Sequence, residues 1–350
     1  GFSSPLAAQE KPFQEPVEVA FVGVAHIHTP GFVRTLKERP DFKVVAVWDH
    51  DQARAEKRAK ELDAPVVTDL EKIWSNKDIK AVIICSETNR HPELVLAAAQ
   101  AGKHMFVEKP LGFTAEESFA MAKAINDQKL LFQTGYFMRS DAKFIFLKNE
   151  IASGRFGKIT RVRASNCHSG SLGNWFGGEW RWMADPKQAG VGAFGDLGTH
   201  KLDIMLWLLG DVQTATADIQ IVTNRYEGCD ETGEGLMQFK NGVIGTLAAS
   251  WVDIEDPVEM QIFGTDANAI IRGGKLYYRN NKLDRKKLEP VENLPSGLPS
   301  PLNLFLDAVA GKKDAAGKLV TPDEAAYRVS VMEALYQGAQ GRKWVEPATK

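Results

Sequence analysis

Three side chains have the types and spacing to share one piece of acid–base chemistry. Lys109 follows the run His104-Met105-Phe106-Val107-Glu108, and Asp196 and His200 lie in Gly195-Asp196-Leu197-Gly198-Thr199-His200-Lys201-Leu202-Asp203. The second stretch continues into Ile204-Met205-Leu206-Trp207-Leu208-Leu209 and stops at Gly210, which predicts a helix. On a helix Asp196, His200 and Asp203 share one face. A carboxylate beside an imidazole orients the ring and favours its charged form. An isolated Asp/His pair is more often a helix cap with an unrelated histidine. Lys109 changes that balance, because a lysine delivered to the end of a buried strand can polarise a hydroxyl or carbonyl.

These residues need elements to hold them, and the first half of the chain alternates two kinds. Strand-like runs at 17–22, 43–48, 81–85, 104–107 and 130–134 alternate with helical patterns that begin at 32 and cover 52–62, 92–101 and 114–127. Such alternation builds a parallel sheet with helices on both faces, binding ligands at the carboxyl ends of its strands. The first strand ends at Gly23, and Gly23-Val24-Ala25-His26-Ile27-His28 stands where a dinucleotide fold carries G-x-G-x-x-G. Only the first glycine survives. Ala25 permits close approach to a pyrophosphate, whereas His28 in the third position is a larger departure. Asp49 follows the second strand, where a carboxylate binds both adenosine ribose hydroxyls and favours NAD over NADP. Arg54 or Lys57 could blunt that preference, and Asp49 or Asp51 could instead cap the next helix.

The second half supplies a wall for a substrate. Between a strand at 158–165 and the helix of His200 runs a segment, 166–182, rich in glycine and tryptophan. That composition suits a loop that wraps a ligand. Trp175 offers a face for stacking on a sugar, and His168, Asn174 and Arg181 offer hydrogen bonds to hydroxyls, while Trp180 or Trp182 anchors the loop. Strand patterns then recur at 216–222, 232–239, 243–251, 258–263 and 269–272, as in a sheet with one covered face, and 302–310 and 322–338 read as helices.

The chain of 350 residues has room for two cores. The expected division is a tail at 1–16, a dinucleotide-binding domain at 17–137 and a substrate-binding and oligomerisation domain at 138–350. A net charge of -2 leaves no footprint for nucleic acid or an anionic membrane surface. No apolar run approaches the roughly 20 residues of a membrane span. Cys85, Cys167 and Cys229 are scattered, so neither a disulfide framework nor a metal site is expected. The small residues of Gly1 to Gln9 resemble the end of a signal peptide, which implies an exported, periplasmic protein; a plain terminus implies a cytoplasmic one.

Gly102-Lys103-His104 precedes Glu108-Lys109-Pro110, and Asp185-Pro186 precedes the Asp196/Gly198/His200/Asp203 pattern. Asn241-Gly242 and Thr321-Pro322-Asp323-Glu324-Ala325 follow. In this order, from about Val17 to Pro347, these pieces resemble the Gfo/Idh/MocA family of NAD(P)-dependent oxidoreductases. The resemblance implies an α/β protein: a Rossmann domain followed by an α/β domain with a large, open, mostly antiparallel sheet used for homo-oligomer contacts. It implies catalytic roles for Lys109, Asp196 and His200, and places Tyr136 and Arg139 at the substrate, with a salt bridge between the domains the equal alternative for Arg139. The family's Thr-Pro-Asn-x-x-His turn becomes Ser86-Glu87-Thr88-Asn89-Arg90-His91. Ser86 and His91 match in kind, Glu87 and Thr88 depart, and Ser86, Thr88, His91 and Glu108 stand as cofactor contacts. The altered glycine turn shifts pyrophosphate binding onto His26, Ile27 and His28.

The expected activity is hydride transfer between NAD, or NADP, and a hydroxyl-bearing carbon of a sugar or polyol. His200 would take the hydroxyl proton, Lys109 would stabilise the developing alkoxide and Asp196 would orient the histidine. A second reading, prompted by the signal-like tail, is a glycosidase that recycles a tightly bound NAD. A third is a sugar- or nucleotide-binding sensor without catalysis.

Overall fold

The computed structural model describes residues 14–350. The signal-like stretch up to residue 13 lies outside the described residues. The first layer is a five-stranded parallel sheet of β1 (Val17–Val24), β2 (Phe42–Trp48), β3 (Ile79–Cys85), β4 (His104–Val107) and β5 (Phe132–Thr134), in the order β2-β1-β3-β4-β5. It is wrapped by α1 (Thr29–Lys37), α2 (Gln52–Leu62), the single turn α3 (Glu71–Trp74), α4 (His91–Gln100) and α5 (Ala115–Asp127). β1 and β3 are apolar and buried along most of their length, as a sheet covered on both faces requires. Every strand runs the same way, so Gly23, Asp49, Ser86 and Glu108 emerge at one edge.

The second layer begins with α6 (Ala142–Ala152), β6 (Ile159–Cys167), the short α7 (Pro186–Ala189) and α8 (Ala193–Leu209). There follow β7 (Val212–Gln220), β8 (Thr232–Phe239), β9 (Ile244–Ser250), β10 (Val258–Gly264), β11 (Ala267–Arg272), β12 (Lys275–Asn280) and β13 (Arg285–Pro290). Their order is β13-β12-β11-β10-β6-β9-β8-β7, antiparallel throughout except between β6 and β9. β12 and β13 lie outside the strand patterns read from the sequence. Arg285-Lys286-Lys287-Leu288 has no apolar alternation because β13 is an exposed edge. α8 covers the inner face, where Met237, Phe239, Leu247 and Ala249 are buried.

The last two helices cross the expected division at residue 137. α9 (Pro301–Val309) returns to the first sheet, where Leu302, Phe305 and Leu306 share a core with Phe21, Leu36 and Phe106. α10 (Pro322–Gly341) serves both layers: Ala325, Ala326 and Val329 pack with Val107 and Phe132, while Val331, Ala334 and Leu335 join the core under α8. The first layer buries its last apolar face only when the end of the chain comes back to it.

Candidate active site

α8 begins at Ala193 with Gly192 as its cap, and a side chain from a distant loop fixes its start. Asp230 Oδ1 accepts from Phe194 N at 2.9 Å and Oδ2 from Gly192 N at 3.1 Å, satisfying amides that a helix start leaves free. Tyr336 of α10 donates its hydroxyl to Asp230 Oδ2 and accepts from Gly195 N, each at 2.9 Å. A side chain at position 192 would bring Cβ within 2.5 Å of Asp230. Neither Asp230 nor Tyr336 sits in a motif, so the sequence offered no sign of them.

Lys109, at the end of β4, reaches across to this helix. Its Nζ donates to Asp196 Oδ1 at 2.8 Å and to Asp196 O at 3.0 Å. Burial opposes charge on Asp196, but the Lys109 ammonium outweighs it and holds the carboxyl below its ordinary value. The expectation that Asp196 orients His200 is corrected: the carboxylate is spent on the lysine. His200 packs its ring against Phe137 at 4.7 Å and beside Tyr136 at 6.2 Å, and its buried Nδ1 has no partner among the described residues. Burial, then the positive charge of Lys109, push His200 well below 6.5, so the ring is neutral and does not favour its charged form. Asp203 shares the helix but not the site. Arg139 grips it with bonds of 2.9 and 2.6 Å, and Arg328 Nε adds one at 2.8 Å. Arg139 also binds Glu324 at 2.8 Å, so it ties elements together and does not face a substrate. Tyr136 is likewise enclosed, sharing a hydrogen bond of 2.9 Å with Thr199 beneath His200.

The turn after β1 needs its one glycine. Gly23 has φ of 88°, and a Cβ there would come within 2.6 Å of Ser86, where β3 ends. Ala25, His26, Ile27 and His28 follow into α1, and His26 and His28 both face Glu108. Burial works against charge on Glu108, yet the two imidazoles keep its carboxyl low, while burial drives His26 down to about 3. Asp49 is placed as the sequence predicts but is not free to bind a ribose. Its Oδ2 accepts from Val24 N and its Oδ1 from Asp51 N, both at 2.9 Å, and its side chain is wholly enclosed. Asp51 is the cap of α2. His50 and Arg54 cover the position and converge on Glu87 Oε1 at 2.8 and 3.0 Å, a cluster the sequence left unread. Ser86 and Thr88 are buried beside the turn. His91 donates from Nδ1 to Leu111 O at 3.0 Å, bracing the loop that carries Lys109.

The glycine- and tryptophan-rich segment lies across the carboxyl ends of the parallel strands. Trp182 is buried and donates Nε1–H to Ala25 O at 3.0 Å. Glu179 reaches Arg58 at 2.7 Å and Lys57 at 3.4 Å on α2. Trp175 remains 49% exposed, with one face stacked on His168 at 4.4 Å, so the other face is open to a ligand. Arg181 sits over the Tyr226 ring, and Asn174 accepts from the Tyr226 hydroxyl at 3.1 Å. A dinucleotide fits the close approach at Gly23 and the Lys109 side of the cleft. Its pyrophosphate would be held by the 23–28 turn under Trp182, with Asp49 shaping the turn from behind.

The chain matches a family model described as an oxidoreductase family with an NAD-binding Rossmann fold over residues 17–136, and the Gfo/Idh/MocA C-terminal domain over 144–270. Levoglucosan dehydrogenase of Pseudarthrobacter phenanthrenivorans is 28% identical over 215 residues, 52% of each chain, so the match spans about half the length of that relative. An NAD(+)-dependent scyllo-inositol 2-dehydrogenase of Bacillus subtilis is 27% identical over 267 residues, 74% of each chain. A structure of levoglucosan dehydrogenase with NADH and levoglucosan superposes with a TM-score of 0.82 at 20% identity, covering 96% of this chain and all of the other. Two adjoining family models, in the expected order and over well more than half of the sequence, place this chain in the Gfo/Idh/MocA family of oxidoreductases.

Proposed function

We propose that the chain is an NAD(P)-dependent dehydrogenase acting on a CH–OH group of a sugar, inositol or related polyol. The observation that carries the reading is the convergence of Lys109 from β4 with Asp196 and His200 from α8. The nicotinamide, when bound, supplies the site that gains or loses the hydride. The neutral His200 accepts the hydroxyl proton, and the Lys109 ammonium stabilises negative charge on the oxygen. Asp196 holds Lys109 Nζ at that oxygen. Trp175 provides the stacking face for the sugar ring. Latching of the 175–182 segment over Ala25 favours a cofactor that exchanges slowly, which keeps the redox-assisted glycosidase reading in view.

The uncovered face of the eight-stranded sheet, with Leu236 and Ile244 exposed, supports pairing with a second copy of the chain. No helix among the described residues is long and apolar enough to cross a membrane. The test is to incubate purified protein with scyllo-inositol, levoglucosan and glucose, with and without added NAD or NADP, while recording reduced nicotinamide absorbance. Cofactor released by denaturation is identified by mass spectrometry in parallel. Reduction with an added cofactor supports the dehydrogenase; cleavage of a glycoside with no added cofactor supports the glycosidase. Absence of both turnover and dinucleotide binding removes the proposal.

A further inference from the structure

We propose that His26, His28 and Glu108 form a binding site for a divalent transition-metal cation of the zinc or cobalt kind, beside the Lys109–Asp196 pair. His26 Nε2 lies 3.6 Å from Glu108 Oε2, and His28 Nδ1 lies 3.3 Å from Glu108 Oε1. One ligand atom from each of the three residues lies within 4.8 Å of the others. Hydrogen bonds between an imidazole and a carboxylate close to about 2.7–2.9 Å when one partner is charged. Bonds of about 2.0–2.2 Å to a tetrahedral metal instead hold neighbouring ligand atoms roughly 3.3–3.6 Å apart. The two contacts, of 3.6 and 3.3 Å to different oxygens of Glu108, are longer than such charged hydrogen bonds and bring both nitrogens close enough to the carboxylate to share a cation after small side-chain movements.

Glu108 adds an independent argument. Its side chain is fully buried, yet among the described residues its carboxylate takes only one backbone donor, Lys109 N at 3.2 Å, besides the long contact from His28. A buried carboxylate with so few close donors depends on its two imidazoles for charge compensation, a role that a cation held between them would take over. Two imidazoles and one carboxylate select a borderline transition metal; magnesium and calcium prefer oxygen ligands throughout. His28 and Glu108 line an open cavity of about 390 Å³ with Phe106, Gly135 and Phe137, so an oxygen ligand can reach the remaining positions. His26 faces the narrow space bounded by Lys109 and Asp196.

The metal-free arrangement has its own wiring. His26 Nδ1 accepts from His28 N at 3.1 Å, which leaves the ring proton of a neutral His26 on Nε2. Metal uptake moves that proton to Nδ1 and turns the ring, exchanging one backbone contact for bonds to the cation. His28 stands at the third glycine position of the fingerprint, so the His-x-His turn presents two imidazoles where that fingerprint needs a small residue.

The site lies on the turn that would carry the cofactor pyrophosphate, so it is tested by metal binding, without turnover. The full chain is purified, its metal content measured, and the chelator-stripped protein titrated calorimetrically with Zn²⁺ and, by visible absorption, with Co²⁺. The expected result is one cation per chain, with Co²⁺ developing ligand-field bands. His28→Ala and Glu108→Gln should each weaken Zn²⁺ by more than the roughly 10–100-fold that loss of an outer-shell partner costs. His28 is partly exposed on a turn, so its variant covers the case in which Glu108→Gln fails to fold. His50→Ala, outside the triad, should leave Zn²⁺ affinity unchanged. Natively folded protein that binds neither cation, or His28→Ala with wild-type affinity, overturns the proposal and makes the triad a hydrogen-bonded charge cluster. Dehydrogenase activity from such metal-free protein would sink the site alone.

Discussion

Lys109 and Asp196 form an ion pair whose side chains are 2% and 15% exposed, so each substitution has a folding cost as well as a chemical one. Lys109→Ala leaves a carboxylate with little water around it, and breaking such a pair costs about 3–5 kcal/mol when buried. The partial exposure of Asp196 places this pair toward the lower figure. Thermal melts should therefore show Lys109→Ala destabilised, and Lys109→Met combined with Asp196→Leu recovering much of the loss. Equal melting of Lys109→Ala and wild type would mean that Asp196 is solvated. His200 gives a pH dependence of opposite origin. Its folded pKa lies below the unfolded value of about 6.5, so the unfolded chain binds the proton more readily. The stability this contributes is present above about pH 6.5 and is lost as pH falls below it. Melting temperatures between pH 7 and pH 5 should fall more steeply for wild type than for His200→Gln. The sequence made Lys109, Asp196 and His200 legible because each sits in a motif. It could not reveal that the aspartate turns to the lysine, since that depends on how β4 meets α8.

At the scale of elements, the segment between β6 and α8 acts as a strap over the first sheet. Its composition announced a loop that wraps something, and the exposed Trp175 agrees with that. What it lies across was not legible, because Trp182 meets Ala25 and Glu179 meets Arg58 from more than a hundred residues away in the chain. The same remoteness hid Asp230, which is neither near α8 in sequence nor part of a repeat. Glu179 is partly exposed, so its bond to Arg58 is worth about 0.5–1 kcal/mol. Removing it with Glu179→Gln should raise the open population of the strap by roughly two- to five-fold. Trypsin cleavage after Arg181 under native conditions should accelerate by the same factor. An unchanged cleavage rate would show that Trp182 and its apolar neighbours hold the strap without the ion pair.

Across the whole molecule, the two sheets form one cooperative body because α10 belongs to both cores and α9 returns the end of the chain to the first. A division at residue 137 follows naturally from the Rossmann alternation. The last two helices cross it, because they carry apolar faces that the local pattern cannot assign to a partner. Asp203 makes the joint visible: on α8 it receives Arg139, from the turn after β5, and Arg328, from α10, with Glu324 completing the group. Every member is held by another, so burial is compensated and the cluster fixes how the layers register. Calorimetry should show one unfolding transition with matching calorimetric and van't Hoff enthalpies. Asp203→Asn leaves two guanidinium groups crowded around a neutral amide in a buried place, and should lower stability by about 3–5 kcal/mol. The loss should appear as a downward shift of the whole transition, because the contacts span both layers. A second transition separating in that variant, with the Rossmann layer melting unchanged, would show that α10 does not couple the sheets.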